Sequence, residues 1–172
     1  MTAMSCKRCV TDDDFAQASL FFLANRRDMH PSYSTIDTIT LLYRYMKQGR
    51  IIQALDRDER MIGVSAYYHG TPEHDFEDKH IALMDMAVLS RTHRGSRMFL
   101  KGLSFMVDEI TAGEPDVQEI QLAALADNVY LCRLYAKFTD SSREFDSEMG
   151  KQVIFSVKIN NLKAFLDKYK KV

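Results

Sequence analysis

The strand signal of this chain is a set of short apolar runs separated by polar turns. One run, IIQAL, is joined to the next, MIGVSAYY, by the charged segment DRDER, which is the pattern of a β-hairpin. The following run, IALMDMAVL, is almost continuously apolar, as expected of a strand buried on both faces. Further runs at KRCV, VQEIQLAAL and KQVIFSVKI complete the predicted strands.

Apolar residues at spacings of three and four predict helices between these strands. Thr11 and Asp14 have the spacing of a capping box at the start of the first helix, and Asn128 or its neighbour Asp127 can cap a later one. A second helix carries one apolar face, formed by Ile36, Ile39, Tyr43 and Met46. With a last helix at about 160–170, the order is β-α-α-β-β-β-α-β-α-β-α, which predicts a mixed sheet with helices packed on it.

The segment RTHRGSRMFLKGL follows the apolar run IALMDMAVL and opens a predicted helix. The first turn of a helix offers N–H groups and the positive end of a dipole, so a pyrophosphate can bind there through the backbone. Arg94 and Arg97 would add charge-assisted hydrogen bonds. An ordinary basic helix start, in which Gly95 only serves the turn, is the alternative interpretation.

Composition and charge limit the functional classes to which this protein can be assigned. The chain has 172 residues, of which 46% are hydrophobic and 27% charged, and this is typical of one globular domain. A net charge of −1 and only a local basic cluster at the turn give no indication of nucleic-acid binding. No apolar run approaches the roughly 20 residues of a membrane span, and the N-terminus does not resemble a signal peptide. We therefore expect a cytoplasmic protein with neither nucleic-acid nor membrane partners.

Two polar features raise the question of a metal ion. Cys6 and Cys9 have the spacing of a redox or zinc pair, but side chains three apart in a strand point to opposite faces and cannot share an ion. The loop HGTPEHDFEDKH could bind a metal or a cationic substrate, although a solvated acidic surface loop is the simpler interpretation. We therefore predict no metal site.

Two segments resemble the GCN5-related N-acetyltransferase (GNAT) family, as does the order of elements. IALMDMAVLSRTHRGSRMFLKGL is similar to the family's strand, loop and helix that bind acetyl-CoA. IQLAALADNVYLCRLYAKF is similar to the next strand and helix, with an Asn near the helix start and a later Leu-Tyr pair, here Asn128, Leu134 and Tyr135. The resemblance covers about residues 10–159. It implies one α/β (α+β) domain over residues 1–172, with a mixed, mostly antiparallel central sheet flanked by helices and an extra C-terminal helix.

The resemblance also implies a site for acetyl-CoA, without a metal. Its cofactor-binding residues would be Met86, Ala87, Val88, Leu89, Arg94, Gly95, Ser96, Arg97, Met98, Phe99 and Asn128. The strand residues would present backbone to the pantetheine arm, and an N–H near Val88 would stabilise the oxyanion. The loop departs from the family's pattern in either registration: if Arg91 is its first residue, Arg94 stands at the place of a glycine, and if Arg94 is its first residue, as we prefer, Arg97 and Phe99 stand where the family has glycine or another small residue. Their Cβ atoms can keep the backbone away from the phosphates.

Two residues are candidates for catalysis. The resemblance implies that Tyr135 donates a proton to the departing thiolate, although a core-facing aromatic is an equal alternative. Asp85 interrupts an apolar strand, where an ionised carboxylate is unfavourable unless paired, so it is a candidate general base. A structural ion pair or hydrogen bond explains Asp85 equally well, and His80 and Glu119 are further candidates.

The resulting prediction is a GNAT-type N-acetyltransferase. It would move an acetyl or other acyl group from a CoA thioester to a primary amine, on a small molecule or a peptide, by direct attack in a ternary complex. Acyl carrier protein remains open as an alternative donor. The glycine-poor loop favours a different hypothesis, a catalytically inactive GNAT-fold module that binds a ligand or a protein. The last helix could also contact a second subunit in a homodimer.

Overall fold

The computed structural model describes residues 3–29, 31 and 33–170. In chain order its elements are β1 (Ser5–Arg8), α1 (Asp12–Ala24), α2 (Arg26–Met29), α3 (Thr35–Gln48), β2 (Gly49–Leu55), β3 (Met61–His69), β4 (Ile81–Leu89), α4 (Ser96–Gly113), β5 (Glu119–Leu125), α5 (Val129–Ala136), β6 (Ser141–Ser147), β7 (Gly150–Lys158) and α6 (Ile159–Lys170). Two single-turn 3-10 helices, Pro72–His74 and Arg91–His93, flank β4.

The strands form a mixed seven-stranded sheet in the order β1-β2-β3-β4-β5-β7-β6. β4 and β5 run parallel, with Ile81 opposite Glu119 and Met84 opposite Leu122. The pairs β1–β2, β2–β3, β5–β7 and β6–β7 are antiparallel. The predicted fold class, a mixed and mostly antiparallel sheet flanked by helices, is confirmed.

Contacts between residues divide the chain into two compact units. Unit 1 comprises Met1–Tyr68 and Met86–Gly102, and unit 2 comprises His69–Asp85 and Leu103–Val172. The boundary falls within β3, after Tyr68, within β4, after Asp85, and within α4, after Gly102. That one domain spans residues 1–172 stays a prediction.

Two capping boxes begin the long helices of unit 1. At α1, Asp14 N donates to Thr11 Oγ1 and Thr11 N donates to Asp14 Oδ2, each over 3.1 Å. Ser34 and Asp37 repeat the arrangement at α3. The predicted box at Thr11 is confirmed, and it fixes where the chain turns from β1 into α1.

The buried face of α3 is not the one that its apolar spacing indicates. Ile36 and Tyr43 are 76% and 62% exposed, and Ile39 and Met46 are exposed as well. The buried face instead holds Thr38, Leu42 and Tyr45. The Tyr45 ring stacks on Tyr68 of β3 at 4.9 Å between centroids. Packing on the strand therefore decides which face of the helix is buried.

In unit 2, α6 packs against the unit's own aromatic residues. The Phe165 ring lies 5.3 Å from the ring of Phe138 and 5.0 Å from that of Tyr169. Leu162 and Leu166 of α6 are buried. The predicted last helix is confirmed, and its apolar face is buried at Leu162 and Leu166, whereas Tyr169 near its end is 54% exposed.

The structure contains two elements, β6 and α2, that the sequence pattern does not predict. The strand β6 has the sequence SSREFDS, which contains one apolar residue and is exposed along most of its length. Its pairing with β7 holds it, with Gly150 at φ +109° in the connecting turn. The helix α2 is only four residues long. Neither element carries an apolar periodicity, so the sequence pattern could not predict them.

The two glycines Gly70 and Gly102 predict opposite effects of the same substitution. Gly70 has φ +87°, and a Cβ there would lie 2.5 Å from the carbonyl oxygen of Phe76, so we expect Gly70→Ala to destabilise the protein by about 1–3 kcal/mol. A Cβ at Gly102, inside α4, would meet nothing within 4 Å, and we expect Gly102→Ala to stabilise by about 0.5–1 kcal/mol. Urea unfolding of both variants measures this, and equal effects would contradict the assignment of Gly70.

Candidate functional site

A tight turn connects β4 to α4 in unit 1. At the strand end, Ser90 N donates to the Ile62 carbonyl over 2.8 Å. The Ser90 hydroxyl lies 2.8 Å from His93 Nδ1, and His93 N donates to the Ser90 carbonyl over 2.9 Å. These bonds close the 3-10 turn, and the chain then extends through Arg94 to the helix. We call residues 90–95 the donor turn.

The helix start beyond the donor turn offers backbone N–H groups. The Gly95 carbonyl accepts from Phe99 N over 3.1 Å. The N–H groups of Ser96, Arg97 and Met98 therefore precede the first bond of the helical ladder. A Cβ built on Gly95 would meet nothing within 4 Å. The space beside Gly95 is therefore open, and neither a close contact nor a strained backbone requires glycine there.

The side chains of the first helical turn point to different surroundings. Arg97 is exposed, whereas Met98 and Phe99 are half-buried. Met98 packs against a cluster of Met4, Ala54 and Ile62. A ligand at the helix start would therefore contact Met98 through its backbone N–H, because the side chain is packed against this cluster.

The last residues of β4 are packed tightly against β3. Met86 and Val88 are buried, and Ala87 and Leu89 are half-buried. A Cβ at Gly63 of β3 would lie 2.7 Å from Leu89 Cδ2 and 3.1 Å from the Val88 carbonyl oxygen. The absence of a side chain at Gly63 is what lets the strand end lie this close.

A carboxylate that the sequence did not indicate binds two arginines of the donor turn. Asp28 of α2 accepts hydrogen bonds from Nε and Nη2 of Arg91, over 3.2 and 3.0 Å. Arg94 Nη2 lies 3.0 Å from the other oxygen of Asp28, and Arg94 Nε donates to the Leu89 carbonyl over 3.3 Å. The hydrogen bond from Arg91, together with the charge of Arg94, lowers the pKa of Asp28 against the opposing effect of burial.

In unit 2, α5 carries Asn128 and Tyr135. The predicted cap is confirmed, because Leu131 N donates to Asn128 Oδ1 over 3.1 Å. Tyr135 is only 1% exposed, and its ring meets those of Phe155 and Phe138 edge-on, at 5.7 and 6.1 Å between centroids. Burial raises the pKa of this phenol well above its usual range. Asp85, the last residue of unit 2 on β4, is half-buried.

The cysteines have the character of packed structural residues. Cys6 packs on the cluster of Met4, Ala54 and Ile62, whereas the Cys9 sulfur accepts from Gln53 Nε2 over 3.2 Å. Burial raises the pKa of Cys9 to about 11, so its thiol stays protonated at neutral pH. Within residues 3–29, 31 and 33–170, no group of His, Cys, Asp and Glu side chains has the arrangement of a metal site.

The acidic loop after β3 is closed by one of its own carboxylates. Asp78 accepts from both the N–H and the hydroxyl of Thr71, each over 2.6 Å. His74 Nδ1 lies 3.4 Å from the same carboxylate, and Arg143 binds Glu73 over 2.7 Å. The expected solvated acidic loop is thus a folded turn, in which Asp78 is structural while Asp75 and Glu77 are exposed.

Sequence comparison and structural comparison give different results for this chain. No family model and no curated protein sequence matches it. Its structure is similar to an aminoglycoside acetyltransferase in complex with coenzyme A, with a TM-score of 0.72 and 15% identity over 94% of this chain and 98% of that one. A spermidine N-acetyltransferase from Vibrio cholerae, in complex with CoA and spermine, has a TM-score of 0.63 and 12% identity over 92% and 97% of the chains. A GNAT-family acetyltransferase from Staphylococcus aureus has a TM-score of 0.66 and 11% identity over 91% and 99%.

These similarities show that the chain has the GNAT fold, as its two segments and order of elements predicted. The donor turn lies between β4 and α4, the strand and the helix of the first segment on which the sequence resemblance rests. Among the described residues, no helix is both long enough and apolar enough to cross a membrane.

The structural role of Asp78 predicts a pH-dependent loss of stability on substitution. Burial acts to raise the pKa of Asp78, but the hydrogen bonds from Thr71 outweigh it and leave the pKa lowered. We expect Asp78→Asn to destabilise the protein by about 1–3 kcal/mol at pH 7. A depressed folded pKa stabilises above the unfolded value of about 3.9, so the difference from wild type should vanish as the pH falls through the lower folded pKa.

Urea unfolding between pH 7 and pH 3 measures this difference. Asp75→Asn is the matched control, because Asp75 is an exposed carboxylate of the same loop and Asn tolerates its positive φ of 51°. It should change stability by less than about 0.5 kcal/mol. Equal losses in both variants would contradict the role given to Asp78.

Proposed function

We propose that this protein belongs to the GNAT family and transfers an acetyl or other acyl group from a CoA thioester to a primary amine. The observation that carries the proposal is the donor turn, which leads from the buried strand β4 into the N-terminus of α4 within a GNAT fold. A strand that ends in an open helix start is suited to an extended ligand with a pyrophosphate. The acyl donor is the part of the reaction that this geometry supports best.

The donor would bind through backbone and charge. The N–H groups of Ser96, Arg97 and Met98 would take the pyrophosphate, and the exposed Arg97 guanidinium would add charge. The backbone of Met86, Ala87, Val88 and Leu89 would bind the amides of the pantetheine arm. Gly95 leaves the approach clear. Asn128, whose side chain caps α5, is proposed as a further cofactor contact from the resemblance.

The distribution of charge supports a polyanionic donor and a cationic acceptor. Unit 1 contains 13 Lys and Arg against 8 Asp and Glu, whereas unit 2 contains 10 against 16. The net charge of −1 therefore conceals a basic unit and an acidic unit. CoA is strongly negative, and a basic surface favours its approach. An acidic surface likewise favours an ammonium group.

The chemistry would be a direct acyl transfer. The neutral amine attacks the thioester carbonyl, the C–S bond breaks, and CoA leaves as a thiolate. Asp85 would accept the proton from the amine, directly or through water, and the N–H near Val88 would stabilise the oxyanion. The raised pKa of Tyr135 lies above that of a thiol, about 8.5, so full proton transfer to the thiolate would be uphill. We propose that the Tyr135 hydroxyl instead donates a hydrogen bond to the leaving sulfur.

The acceptor is proposed to be a small amine or a peptide. Proteins with this fold have been crystallised with kanamycin or with spermine, both of which carry several amino groups. The acidic character of unit 2 fits such acceptors. The cytoplasmic location and the homodimer predicted from the sequence remain part of the proposal.

A second candidate function follows from the helix start itself. Arg97 and Phe99 occupy the places where the family has small residues, and their side chains reduce the clearance for phosphates. A non-catalytic module that binds a ligand or a protein is therefore the alternative. It predicts that the chain binds no CoA thioester, or binds one without turnover.

Donor binding is tested by thermal unfolding in the presence of ligand. A ligand at 100 times its dissociation constant stabilises the native state by about 2.7 kcal/mol, so acetyl-CoA and CoA should both raise the melting temperature by several degrees. Arg97→Glu, which reverses a charge at the helix start, should abolish most of the rise. Adenosine is the control ligand, because it lacks the phosphates. No shift at about 1 mM CoA would contradict donor binding.

The role of Tyr135 is tested by Tyr135→Phe, with Tyr130→Phe as the matched control. Tyr130 lies on the same helix but is 55% exposed. We expect Tyr135→Phe to lower kcat by about 10- to 100-fold towards spermine, while the dissociation constant of CoA and the melting temperature stay near wild type. Tyr130→Phe should keep the wild-type kcat. An unchanged kcat in Tyr135→Phe would refute the role of the hydroxyl, whereas CoA binding without turnover of any amine would favour the non-catalytic module.

A further inference from the structure

Asp28 lies on α2, outside both segments that resemble the GNAT family. Its side chain is 13% exposed, whereas the side chains of Arg91 and Arg94 are 79% and 48% exposed. The ion pair joins residues 63 positions apart in the sequence. A carboxylate is thus held against the basic side chains of the donor turn, which leads directly into the helix start where the proposed function places an anion.

The geometry leaves these guanidinium groups engaged. Oδ1 of Asp28 accepts both bonds from Arg91, and Oδ2 faces Arg94 Nη2 at 3.0 Å. The remaining contact of Arg94, from Nε to the Leu89 carbonyl over 3.3 Å, holds the side chain at the strand end. A phosphate that binds Nε or Nη2 of Arg91, or Nη2 of Arg94, must displace an oxygen of Asp28 or share the nitrogen with it, and the charge of Asp28 opposes a phosphate at the remaining nitrogens.

We propose that Asp28 is a specificity-determining residue, which competes with phosphate for Arg91 and Arg94 and so weakens the binding of simple anions to the donor turn. The inference rests on the proposed function. A small anion contacts only the turn, so competition from Asp28 weakens every interaction that contributes to its affinity. A CoA thioester gains further contacts along β4, so the same competition removes a smaller share of its affinity.

A purely structural role of Asp28 predicts the opposite sign. If the carboxylate only held the turn in its binding conformation, removing its charge would loosen the turn and weaken anion binding. If the carboxylate competes, removing its charge frees two guanidinium groups and strengthens anion binding. The direction of the change in affinity therefore distinguishes the two roles.

The test is calorimetric titration of Asp28→Asn and wild type with inorganic pyrophosphate and with CoA at low salt. We expect pyrophosphate to bind about fivefold more tightly to Asp28→Asn, with a smaller gain for CoA. The gain should shrink at about 0.5 M salt, because screening weakens exposed charges. Asp28→Glu, which keeps the charge, should bind pyrophosphate as wild type does.

Two controls separate this effect from a general change of charge or fold. Asp58→Asn removes an exposed carboxylate from the turn between β2 and β3, and it should leave pyrophosphate binding unchanged. In an Arg91→Gln, Arg94→Gln background, Asp28→Asn should have no further effect on affinity, because the carboxylate acts through those side chains. Asp28→Ser serves as a second neutral variant if thermal unfolding shows that Asp28→Asn is poorly folded.

The binding results distinguish a failure of the proposed role of Asp28 from a failure of the proposed function. Unchanged or weaker pyrophosphate binding by Asp28→Asn and Asp28→Ser, while wild type binds CoA, overturns the role of Asp28 alone. Failure of every variant to bind either ligand overturns the proposed function together with it. Tighter binding that persists in the double Arg→Gln background also overturns the competition.

Discussion

The burial of one whole face of β4 is the constraint on which the candidate site depends, whereas on the other face Leu83 is buried and the remaining residues are half-buried. Ala82, Met84, Met86 and Val88 of this strand are buried, so a shift by one residue would place the half-buried Asp85 in their positions. The register of the strand therefore fixes three features at once: the position of Asp85, the backbone beyond it, and the point where the donor turn begins. The absence of a side chain at Gly63 supports the same register, because it admits Leu89 at close range.

Carboxylates fix two helix starts and contact the arginines of the donor turn. The capping boxes at Thr11 and Ser34 start helices with local carboxylates, whereas Asp28 reaches across the sequence to bind Arg91 and Arg94. The local contacts lower the free energy of a helix start, and the distant one decides how much positive charge the donor turn presents. Unit 1 is basic and unit 2 is acidic, so the net charge of −1 is the sum of two opposite charges.

The start of α4 after the donor turn has open space beside its backbone although the segment contains few glycines. Gly95 lies in a clear space, Met98 turns its side chain into the core of unit 1, and Arg97 is exposed. A helix start can therefore present N–H groups without a run of glycines, provided that neighbouring side chains find other places to pack. In the proposed enzyme, charge and backbone would share the role that glycine clearance has in the family's usual loop.

The sequence by itself determined the elements whose signal is local. The apolar run of β4, the capping box at Thr11, the cap at Asn128 and the helix after Gly95 all follow from residues within one or two turns of each other. The order of these elements predicted a mixed sheet with helices, and the resemblance of two segments to the GNAT family added the fold class and the candidate cofactor residues on β4, at the helix start after it and at Asn128. Only the tertiary structure decided that α3 buries Tyr45 and not Ile36, that SSREFDS pairs as an edge strand, and that Asp28 binds Arg91 and Arg94. The first and the last depend on partners distant in sequence, and β6 depends on its pairing with the next strand, β7. A periodicity or a cap carries no information about such partners.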